Sequence, residues 1–302
     1  MASPHAFRLG IDLGGTKIAA VVLAPDGRVM WEQRMPTPRH DYEGTVARVV
    51  AIVAEGEAAV GAGCTVGIGM PGAISPATGL VKNANSTWLN GRTLKVDLER
   101  ALAREVRLAN DANCLAVSEA TDGAAAGADV VFGVILGTGA GGGIVVRGQV
   151  MTGAHAIAGE WGHNPLPWPA ADELPGPSCY CGRFGCLETW LSGPGLAEDH
   201  HRRGGERTTS EQIVAHVSSD PRAAATLRAW TSRLARGLAS VINLLDPDII
   251  VIGGGLSQVA SIYRDVPAIW SQWIFSDAVT TRLVPAQYGD ASGVRGAAWL
   301  WT

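Results

Sequence analysis

The sequence lacks the features that mark membrane, secreted and nucleic-acid-binding proteins. Over 302 residues the formal net charge is −4 and the pI is near 6.0, and no run of Lys or Arg offers a footprint for a polyanion. No apolar run approaches the roughly 20 residues of a membrane helix, and the longest, around Val241–Ile252, is interrupted by Asn243 and Asp246. Met1–His5 shows no secretory pattern. We therefore expect a cytoplasmic protein without nucleic-acid or membrane partners.

Cysteine is scarce and unevenly placed. Three of the five cysteines are crowded into one short segment, at Cys179, Cys181 and Cys186. An odd total, with two cysteines one residue apart, is a poor disulfide framework, so metal binding is the better interpretation and unliganded thiols are the alternative. With His163, the three thiolates predict a closed, structural Zn²⁺ site, because no position stays open for a reacting water. The other two are expected in the core: Cys64 and Cys114.

Apolar patterns predict an α/β chain in which one unit recurs. A glycine turn between two short strands makes a hairpin, and the same strand–glycine–strand pattern returns further along the chain. Strands are expected at 7–12, 17–23, 64–70, 106–109, 130–136, 144–147 and 249–252, and helices at 94–104, 112–120, 227–245 and 292–301. We expect two lobes that clamp a ligand, namely residues 1–117 plus 291–302 as a small N-terminal domain and 118–290 as a large C-terminal domain with the zinc cluster.

The segment Asp12–Lys17 joins an acid to a glycine turn that carries a hydroxyl and a cation, through Asp12, Gly14, Gly15, Thr16 and Lys17. Glycines let backbone N–H groups approach phosphate oxygens closely. Thr16 can add a hydrogen bond, Lys17 can balance phosphate charge, and Asp12 can hold Mg²⁺ through water. A plain hairpin turn with a solvated lysine is the alternative interpretation.

A second glycine loop, with Gly137, Thr138 and Gly139, follows a predicted strand and contains a literal G-x-G-x-x-G. In a dinucleotide-binding fold this fingerprint opens a helix, whereas here a β-branched strand starts at Ile144. A P-loop, G-x-x-x-x-G-K-[S/T], is also missing from the sequence. Two hairpin phosphate loops, one in each lobe, suit a nucleotide held across a cleft.

Asn110 and Asp111 stand at the end of a predicted strand and directly before a helix. Asp111 is therefore either an N-cap or the carboxylate that accepts the proton of an attacking hydroxyl. Phosphoryl transfer requires such a base together with positioning and charge neutralisation. Glu160, His163 and Glu188 are polar groups suited to discriminate sugar hydroxyls, with solvated surface positions as the alternative.

Five segments, in one order and across nearly the whole chain, resemble the ROK family of sugar kinases and repressors: Asp12–Lys17, Asn110–Cys114, Leu136–Gly139, Ala158–His163 and Cys179–Glu188. Within that family the chain is most similar to the bacterial fructokinases, also called mannofructokinases. Three segments carry this closer similarity: Val81–Gly91, Glu160–Trp168 and Gly293–Trp301.

The resemblance implies an actin-like ATPase (ribonuclease H-like) fold, with two α/β domains and a cleft between them. It implies transfer of the ATP γ-phosphoryl group to the 6-hydroxyl of D-fructose, giving ADP and D-fructose 6-phosphate, with Mg²⁺ and in a homodimer. Asp111 becomes the general base, both glycine loops bind phosphates, and the adenosine lies near Gly253, Gly254 and Gly255. The implied sugar contacts are Asn85, Asn110, Asp111, Glu160, His163 and Glu188, and the implied zinc ligands are His163, Cys179, Cys181 and Cys186.

Three positions depart from the family pattern, and two other functions are considered. His155 and Ala156 stand where relatives usually have an Asn and a further glycine, which bears on loop conformation and sugar preference, and Ala140 stands where close relatives often have Cys. The first alternative is the same chemistry on mannose, glucose or an N-acetylated amino sugar. The second is a sugar-responsive repressor, which is disfavoured because only 11 residues precede Asp12, too few for a helix-turn-helix domain.

Overall fold

The structure, a computed structural model, describes residues 6–301. The chain divides into two units: unit 1 holds the described residues up to Gly127, Gly143–Ala158 and those from Asp290 onward, and unit 2 holds Ala128–Gly142 and Gly159–Gly289. Met1–His5, on which the prediction of no secretory signal rests, lies outside the described residues. Between residues 6 and 301, no helix combines the length and the apolar character needed to cross a membrane.

The first ten elements of the chain all belong to unit 1. They are β1 Phe7–Leu13, β2 Lys17–Leu23, β3 Val29–Pro36, α1 Tyr42–Val60, β4 Cys64–Met70, β5 Ala73–Ile74, β6 Val81–Lys82, α2 Leu94–Leu102, β7 Val106–Asn110 and α3 Asp111–Thr121. The main sheet has the order β3-β2-β1-β4-β7, and β5 pairs with β6. Strands β1 to β3 are antiparallel neighbours, whereas β1, β4 and β7 run parallel.

The remaining elements include the five strands of a second sheet and end with a helix of unit 1. They are β8 Val130–Leu136, β9 Ala140–Val146, β10 Gln149–Val150, α4 Glu188–Leu191, α5 Gly193–Arg202, α6 Ser210–Ala215, α7 Pro221–Leu245, β11 Ile249–Gly253, α8 Ile262–Asp265, α9 Pro267–Trp270, β12 Arg282–Pro285 and α10 Ser292–Trp299. The second sheet has the order β10-β9-β8-β11-β12, with β8, β11 and β12 parallel. This order repeats that of the first sheet, so the predicted internal repeat is present in the topology.

The structure divides the chain at other residues than the predicted boundary after 117. Residues 118–127 belong to unit 1 because α3 continues to Thr121 and packs against α10. Gly143–Ala158 also belongs to unit 1, since a Cβ on Gly143 would stand only 2.4 Å from the carbonyl oxygen of Ala112 in α3. The C-terminal helix α10 belongs to unit 1.

Helix α10 packs onto unit 1 at backbone contact. A Cβ on Gly67 in β4 would lie 1.8 Å from the carbonyl oxygen of Ala297, and one on Gly296 would lie 1.7 Å from that of Cys114 in α3. Any side chain at these two glycines would therefore separate the helix from the sheet or from α3. The close packing fixes the position of α3, and so of Asp111 at its start.

Two arginines of α7 are buried in unit 2 with acidic partners. Arg233 donates to Glu173 at 2.8 Å and to Asp199 at 2.7 Å, and Arg236 donates to the two oxygens of Glu173 at 2.7 and 2.8 Å. Burial alone would raise the pKa of Glu173, but hydrogen bonds from Arg236, the Ala170 N–H and Arg233 outweigh it and hold the pKa at about 2. This network ties the proline-rich loop at 164–178 to α7.

We predict that Glu173→Gln lowers the free energy of unfolding by about 3–5 kcal/mol, because the buried Arg236 loses its charged partner and Arg233 keeps only Asp199. Urea titrations measure the change. Glu198→Gln is the matched control, since the Glu198 carboxylate lies 3.8 Å from Arg207 on the surface of the same unit and should contribute little. An equal loss in the two variants would contradict the prediction.

The pH dependence of this difference has a defined sign. Because the pKa of Glu173 is lowered from 4.5 to about 2 on folding, its charge stabilises the folded state fully above pH 4.5 and loses this effect as the pH falls towards 2. The gap between wild type and Glu173→Gln should therefore narrow below pH 4.5. A gap that widens with acid would contradict this assignment.

Candidate active site

The predicted site residues of unit 1 come together at one edge of its sheet. Strands β1, β4 and β7 are parallel neighbours, with Asp12 paired to Gly69. Because the carboxyl ends of parallel strands meet at the same edge, Asp12 and Asp111 lie at that edge together. The Cys114 thiol lies close enough to both carboxylates to be affected by their charges. Burial raises the pKa of Cys114 most, and the charges of Asp12 and Asp111 raise it further.

The first glycine loop is a tight turn braced by Thr37. The Thr37 hydroxyl donates to the carbonyl oxygen of Gly14 at 2.7 Å, and its backbone N–H donates to that of Thr16 at 3.0 Å. A Cβ on Gly14 would lie 2.7 Å from the carbonyl oxygen of Lys17. Asp12 is partly buried, which raises its pKa, and the charge of Lys17 opposes that rise. The turn thus exposes a hydroxyl and a cation, on Thr16 and Lys17, beside a half-buried carboxylate.

Asn110, rather than Asp111, caps helix α3. Its side-chain oxygen accepts from the Ala112 N–H at 2.9 Å, and its amide nitrogen donates to the carbonyl oxygen of Gly72 at 3.2 Å. Asp111 is the first helical residue and is exposed, and its Oδ1 also accepts from Ala112 at 2.8 Å. The N-cap interpretation of Asp111 is therefore wrong. A carboxylate in the first helical turn is favoured in its ionised form, which a proton acceptor requires.

Asn85 is exposed in a segment that is braced from within unit 1. Ala84, the residue before Asn85, is held by the Asn90 side chain through two hydrogen bonds of 2.9 Å. The Ala84 N–H donates to the Asn90 side-chain oxygen, and the Asn90 amide donates to the Ala84 carbonyl oxygen. Gly72 fits against the same segment, since a Cβ there would lie 2.7 Å from the Ala84 nitrogen. Because Asn110 bonds to Gly72, the two predicted sugar contacts Asn85 and Asn110 share one support.

In unit 2, the predicted nucleotide loops follow two neighbouring strands. β8 leads into Gly137–Gly139, β11 leads into Gly253–Gly255, and the two strands pair in parallel. Gly254 has a φ of 81°, and a Cβ there would lie 2.5 Å from the carbonyl oxygen of Leu136 at the end of β8. The Gly253–Gly255 loop therefore packs on the end of β8, directly before the Gly137–Gly139 loop.

Glu188 supports the second glycine loop. One of its carboxylate oxygens accepts from the Ala140 N–H at 3.0 Å, and a Cβ on Gly139 would lie 2.6 Å from the same oxygen. The contact uses only the backbone of Ala140, so the Ala140 departure from the family pattern leaves it intact. The predicted contact of Glu188 with a sugar would use its other carboxylate oxygen.

Glu160 precedes a 3₁₀ turn, Trp161–His163, of which His163 is the last residue and which packs on β9. Trp161 is buried, and its indole N–H donates to the carbonyl oxygen of Gly141 at 3.0 Å. A Cβ on Gly162 would lie 1.9 Å from the carbonyl oxygen of Ala140. Glu160 remains exposed and His163 half-buried. Three of the predicted sugar contacts thus belong to unit 2, and the other three belong to unit 1.

The four predicted zinc ligands form one cluster, with ligand atoms all within 4.8 Å of one another. Cys179 Sγ lies 3.6 Å from His163 Nδ1, and Cys181 Sγ lies 3.6 Å from Cys186 Sγ. Tetrahedral zinc with bonds of about 2.0–2.3 Å separates a sulfur from its neighbouring ligand atoms by about 3.5–3.8 Å. A hydrogen bond from the Arg183 backbone lowers the pKa of Cys181 to about 6, whereas burial raises the pKa of Cys179 and raises that of Cys186 to about 12. The fit to zinc rests on the donor set and its spacing. The residues present therefore fit the ion.

Both ring nitrogens of His163 have a neighbour. Nδ1 faces the cysteines, while Nε2 lies 2.9 Å from the Tyr180 hydroxyl, with the two rings edge-on at 5.1 Å. Tyr180 is 83% exposed. A sugar that contacts His163, as the sequence predicts, would have to replace Tyr180 at Nε2. No motif marks Tyr180, although its place between two predicted zinc ligands, Cys179 and Cys181, is a signal for such a role.

The loop at His155 and Ala156 keeps the shape that a glycine would adopt. Ala156 has a φ of 51°, in the left-handed region that glycine occupies without strain. The carbonyl oxygen of His155 accepts from Lys82 Nζ at 2.6 Å. The departure at 156 therefore adds a methyl group to the loop without taking the backbone out of the left-handed region.

Known proteins share this architecture. The ROK family description matches residues 8–302. The N-acetyl-D-glucosamine kinase of Pectobacterium atrosepticum is 39% identical over 296 residues, which cover 96% of this chain and 97% of the relative. The ROK hexokinase of Thermus thermophilus has a TM-score of 0.85 at 30% identity, over 97% of each chain. A ROK glucokinase of Streptomyces griseus, solved with glucose and AMPPNP, has a TM-score of 0.77 at 28% identity, over 97% of this chain and 98% of its own.

The two α/β units and these structural neighbours define an actin-like ATPase fold, which confirms the expected fold class. The chain belongs to the ROK family. Within that family it stands among the sugar kinases. The predicted closeness to bacterial fructokinases is not confirmed by these three proteins.

We predict that the purified protein carries one zinc ion per chain, because the four ligands fit a closed structural site. Cys186→Ser should lose the ion and melt at a lower temperature. Cys64→Ser makes the same change at a buried cysteine outside the cluster and should retain it. Elemental analysis and thermal melts measure both effects, and full zinc content in the Cys186 variant would contradict the assignment.

Proposed function

We propose that this chain transfers the γ-phosphoryl group of ATP to the 6-hydroxyl of N-acetyl-D-glucosamine. The observation that carries the proposal is Asp111, an exposed carboxylate in the first turn of α3, at the sheet edge that also bears the Asp12–Lys17 loop. The choice of sugar is supported by the 39% identity to an N-acetyl-D-glucosamine kinase along 96% of the chain. This substrate corresponds to the N-acetylated alternative considered from the sequence, rather than to fructose.

In the proposed reaction, Asp111 accepts the proton of the sugar 6-hydroxyl while that oxygen bonds to the γ-phosphorus. The bond from the γ-phosphorus to the β,γ-bridging oxygen breaks, and ADP leaves. Backbone amides of the Gly14–Gly15 turn and of Gly137–Gly139 donate to phosphate oxygens, and Lys17 offsets their charge. Mg²⁺, held near Asp12, would neutralise further phosphate charge.

The remaining polar residues are proposed to orient the sugar, with the zinc site in a purely structural role. Asn85 and Asn110 would act from unit 1, and Glu160 and Glu188 from unit 2. A closed zinc site that binds His163 and Cys186 would hold the turn after Glu160 and the start of α4 in register, since Glu188 is the first residue of α4. A homodimer, which the resemblance implies, stays a prediction.

Fructose is the competing substrate, because three segments of the sequence resemble the bacterial fructokinases. A coupled ADP-release assay over N-acetylglucosamine, glucose, mannose and fructose separates the two. We predict that kcat/KM for N-acetylglucosamine exceeds that for fructose by about tenfold or more, since buried polar groups left unpaired by the wrong sugar penalise it. The reverse preference would overturn the choice of sugar and leave the kinase assignment standing.

We predict that Asp111→Asn lowers kcat by about 10²–10⁴-fold, because a carboxamide cannot accept the proton, while calorimetric affinities for nucleotide and sugar stay close to wild type. Asp41→Asn is the matched control. Asp41 caps α1 by accepting from the Gly44 N–H at 2.8 Å, and asparagine caps equally well. Wild-type turnover by the Asp111 variant would assign the base to another residue.

A further inference from the structure

Unit 1 contains a cavity of about 360 Å³ beside strand β7, within the size range of small-molecule sites. β7 is the last strand of its sheet, so this edge pairs with no further strand of that sheet. The strand itself, the β5 residues that follow Gly72, and the segment with Thr152 and Ala156 all line the cavity. All of these residues belong to unit 1.

The cavity adjoins the proposed catalytic base. Asn110 lines it and directly precedes Asp111, and Asn113 lines it one turn further along α3. The hydrogen bond of 3.2 Å from Asn110 to the carbonyl oxygen of Gly72 holds the β5 wall in place. A hexose whose 6-hydroxyl lies at Asp111 would have this cavity within reach of one ring substituent.

The lining combines methyl groups with carboxamides. The lining residues include Ala73, Ala109 and Ala156, which carry methyl groups, and Asn110 and Asn113, which carry carboxamides. Asn113 is 9% exposed, and its side-chain oxygen has no hydrogen-bond partner within residues 6–301. A buried acceptor without a donor is costly, so an N–H group of a ligand would be favoured there. The terminal torsion of asparagine is soft, which lets the shielded oxygen turn towards the cavity.

The charged residues of the lining already have partners. Lys95 Nζ lies 3.7 Å from Glu99, and Arg107 donates to the carbonyl oxygen of Leu300 at 2.5 Å. Arg107 also lies over the ring of Trp301, 4.2 Å from its centroid. These pairings leave little attraction for an anion, so the cavity is better suited to a neutral polar group than to a phosphate.

We propose that this cavity is the subsite for the 2-acetamido group of the sugar. The acetyl methyl packs against Ala73 and Ala156, and the acetamido N–H donates to the side-chain oxygen of Asn113. Ala156 is a specificity residue because its methyl group, at a φ of 51°, is an addition to a loop that glycine would leave bare. The inference rests on the proposed function, since it requires an N-acetylated substrate.

Two variants test the subsite through the ratio of kcat/KM for N-acetylglucosamine to that for glucose, which has no acetamido group. Ala73→Leu fills the cavity, and Asn113→Ala removes the acceptor. Each should lower the ratio by about tenfold or more, chiefly through a raised KM for N-acetylglucosamine, with glucose turnover close to wild type. Ala101→Leu, the same change on the exposed face of α2, should leave both substrates unaffected.

The outcomes separate the subsite from the proposed function. A wild-type enzyme that phosphorylates N-acetylglucosamine, with an unchanged ratio in both variants, would overturn the subsite and leave the function standing. Equal losses on both sugars would also overturn it, because the cavity would then serve the fold or the whole sugar. A wild-type enzyme that phosphorylates hexoses but not N-acetylglucosamine would overturn the function and the subsite together.

A ligand series tests the same subsite without any substitution. The cavity is larger than an acetyl group needs, so the wild-type enzyme should also phosphorylate N-propanoylglucosamine, with a kcat/KM close to that for N-acetylglucosamine. In Ala73→Leu, the propanoyl sugar should lose more than the acetyl sugar. Rejection of N-propanoylglucosamine by the wild-type enzyme would overturn the assignment of this cavity.

Discussion

The parallel pairing of strands within each unit is the constraint on which the candidate site depends. In unit 1 it brings the ends of β1, β4 and β7 to one edge, and with them Asp12, the Gly72 turn and Asp111. In unit 2 it brings the ends of β8 and β11, and so the starts of both glycine loops, to one edge. Strand register is set by backbone hydrogen bonds, so these groups are placed by the sheets and not by flexible side chains. The proposed phosphate loops and base therefore start from rigid supports.

Sequence patterns predict those strands that are marked by their own apolar residues. The apolar runs Lys17–Leu23, Cys64–Met70 and Val130–Leu136 are strands with the predicted ends, because a buried strand carries its own signal. The strand β3, Val29–Pro36, was missed, since its residues are half-buried or exposed and it is a strand through its pairing with β2. Helix α1 was also missed, although its capping residues Asp41 and Gly61 marked both ends.

What the sequence did not predict depends on contacts between distant segments. Asn110 and Asp111 are equally good capping residues, and Asn110 takes the cap while its amide also bonds to Gly72, 38 residues earlier. Thr37 braces a loop 23 residues before it, and no motif marks it. The sequence predicts Glu188 as a sugar contact, whereas in this structure it accepts a hydrogen bond from the N–H of Ala140, 48 residues away. The spacing of motifs in the sequence predicts candidate site residues, and tertiary packing determines which groups each of those residues contacts.

His163 has one ring nitrogen inside the predicted zinc cluster and the other outside it. Its Nδ1 faces the cysteines, and a neutral imidazole that binds a metal through Nδ1 must carry its proton on Nε2. Nε2 is then a donor, and the oxygen 2.9 Å away on Tyr180 is the acceptor that it meets in this structure. A sugar hydroxyl oxygen is an acceptor of the same kind. A bound zinc ion would thus fix the tautomer of His163, and a sugar that contacts His163, as the sequence predicts, would have to replace Tyr180 at Nε2.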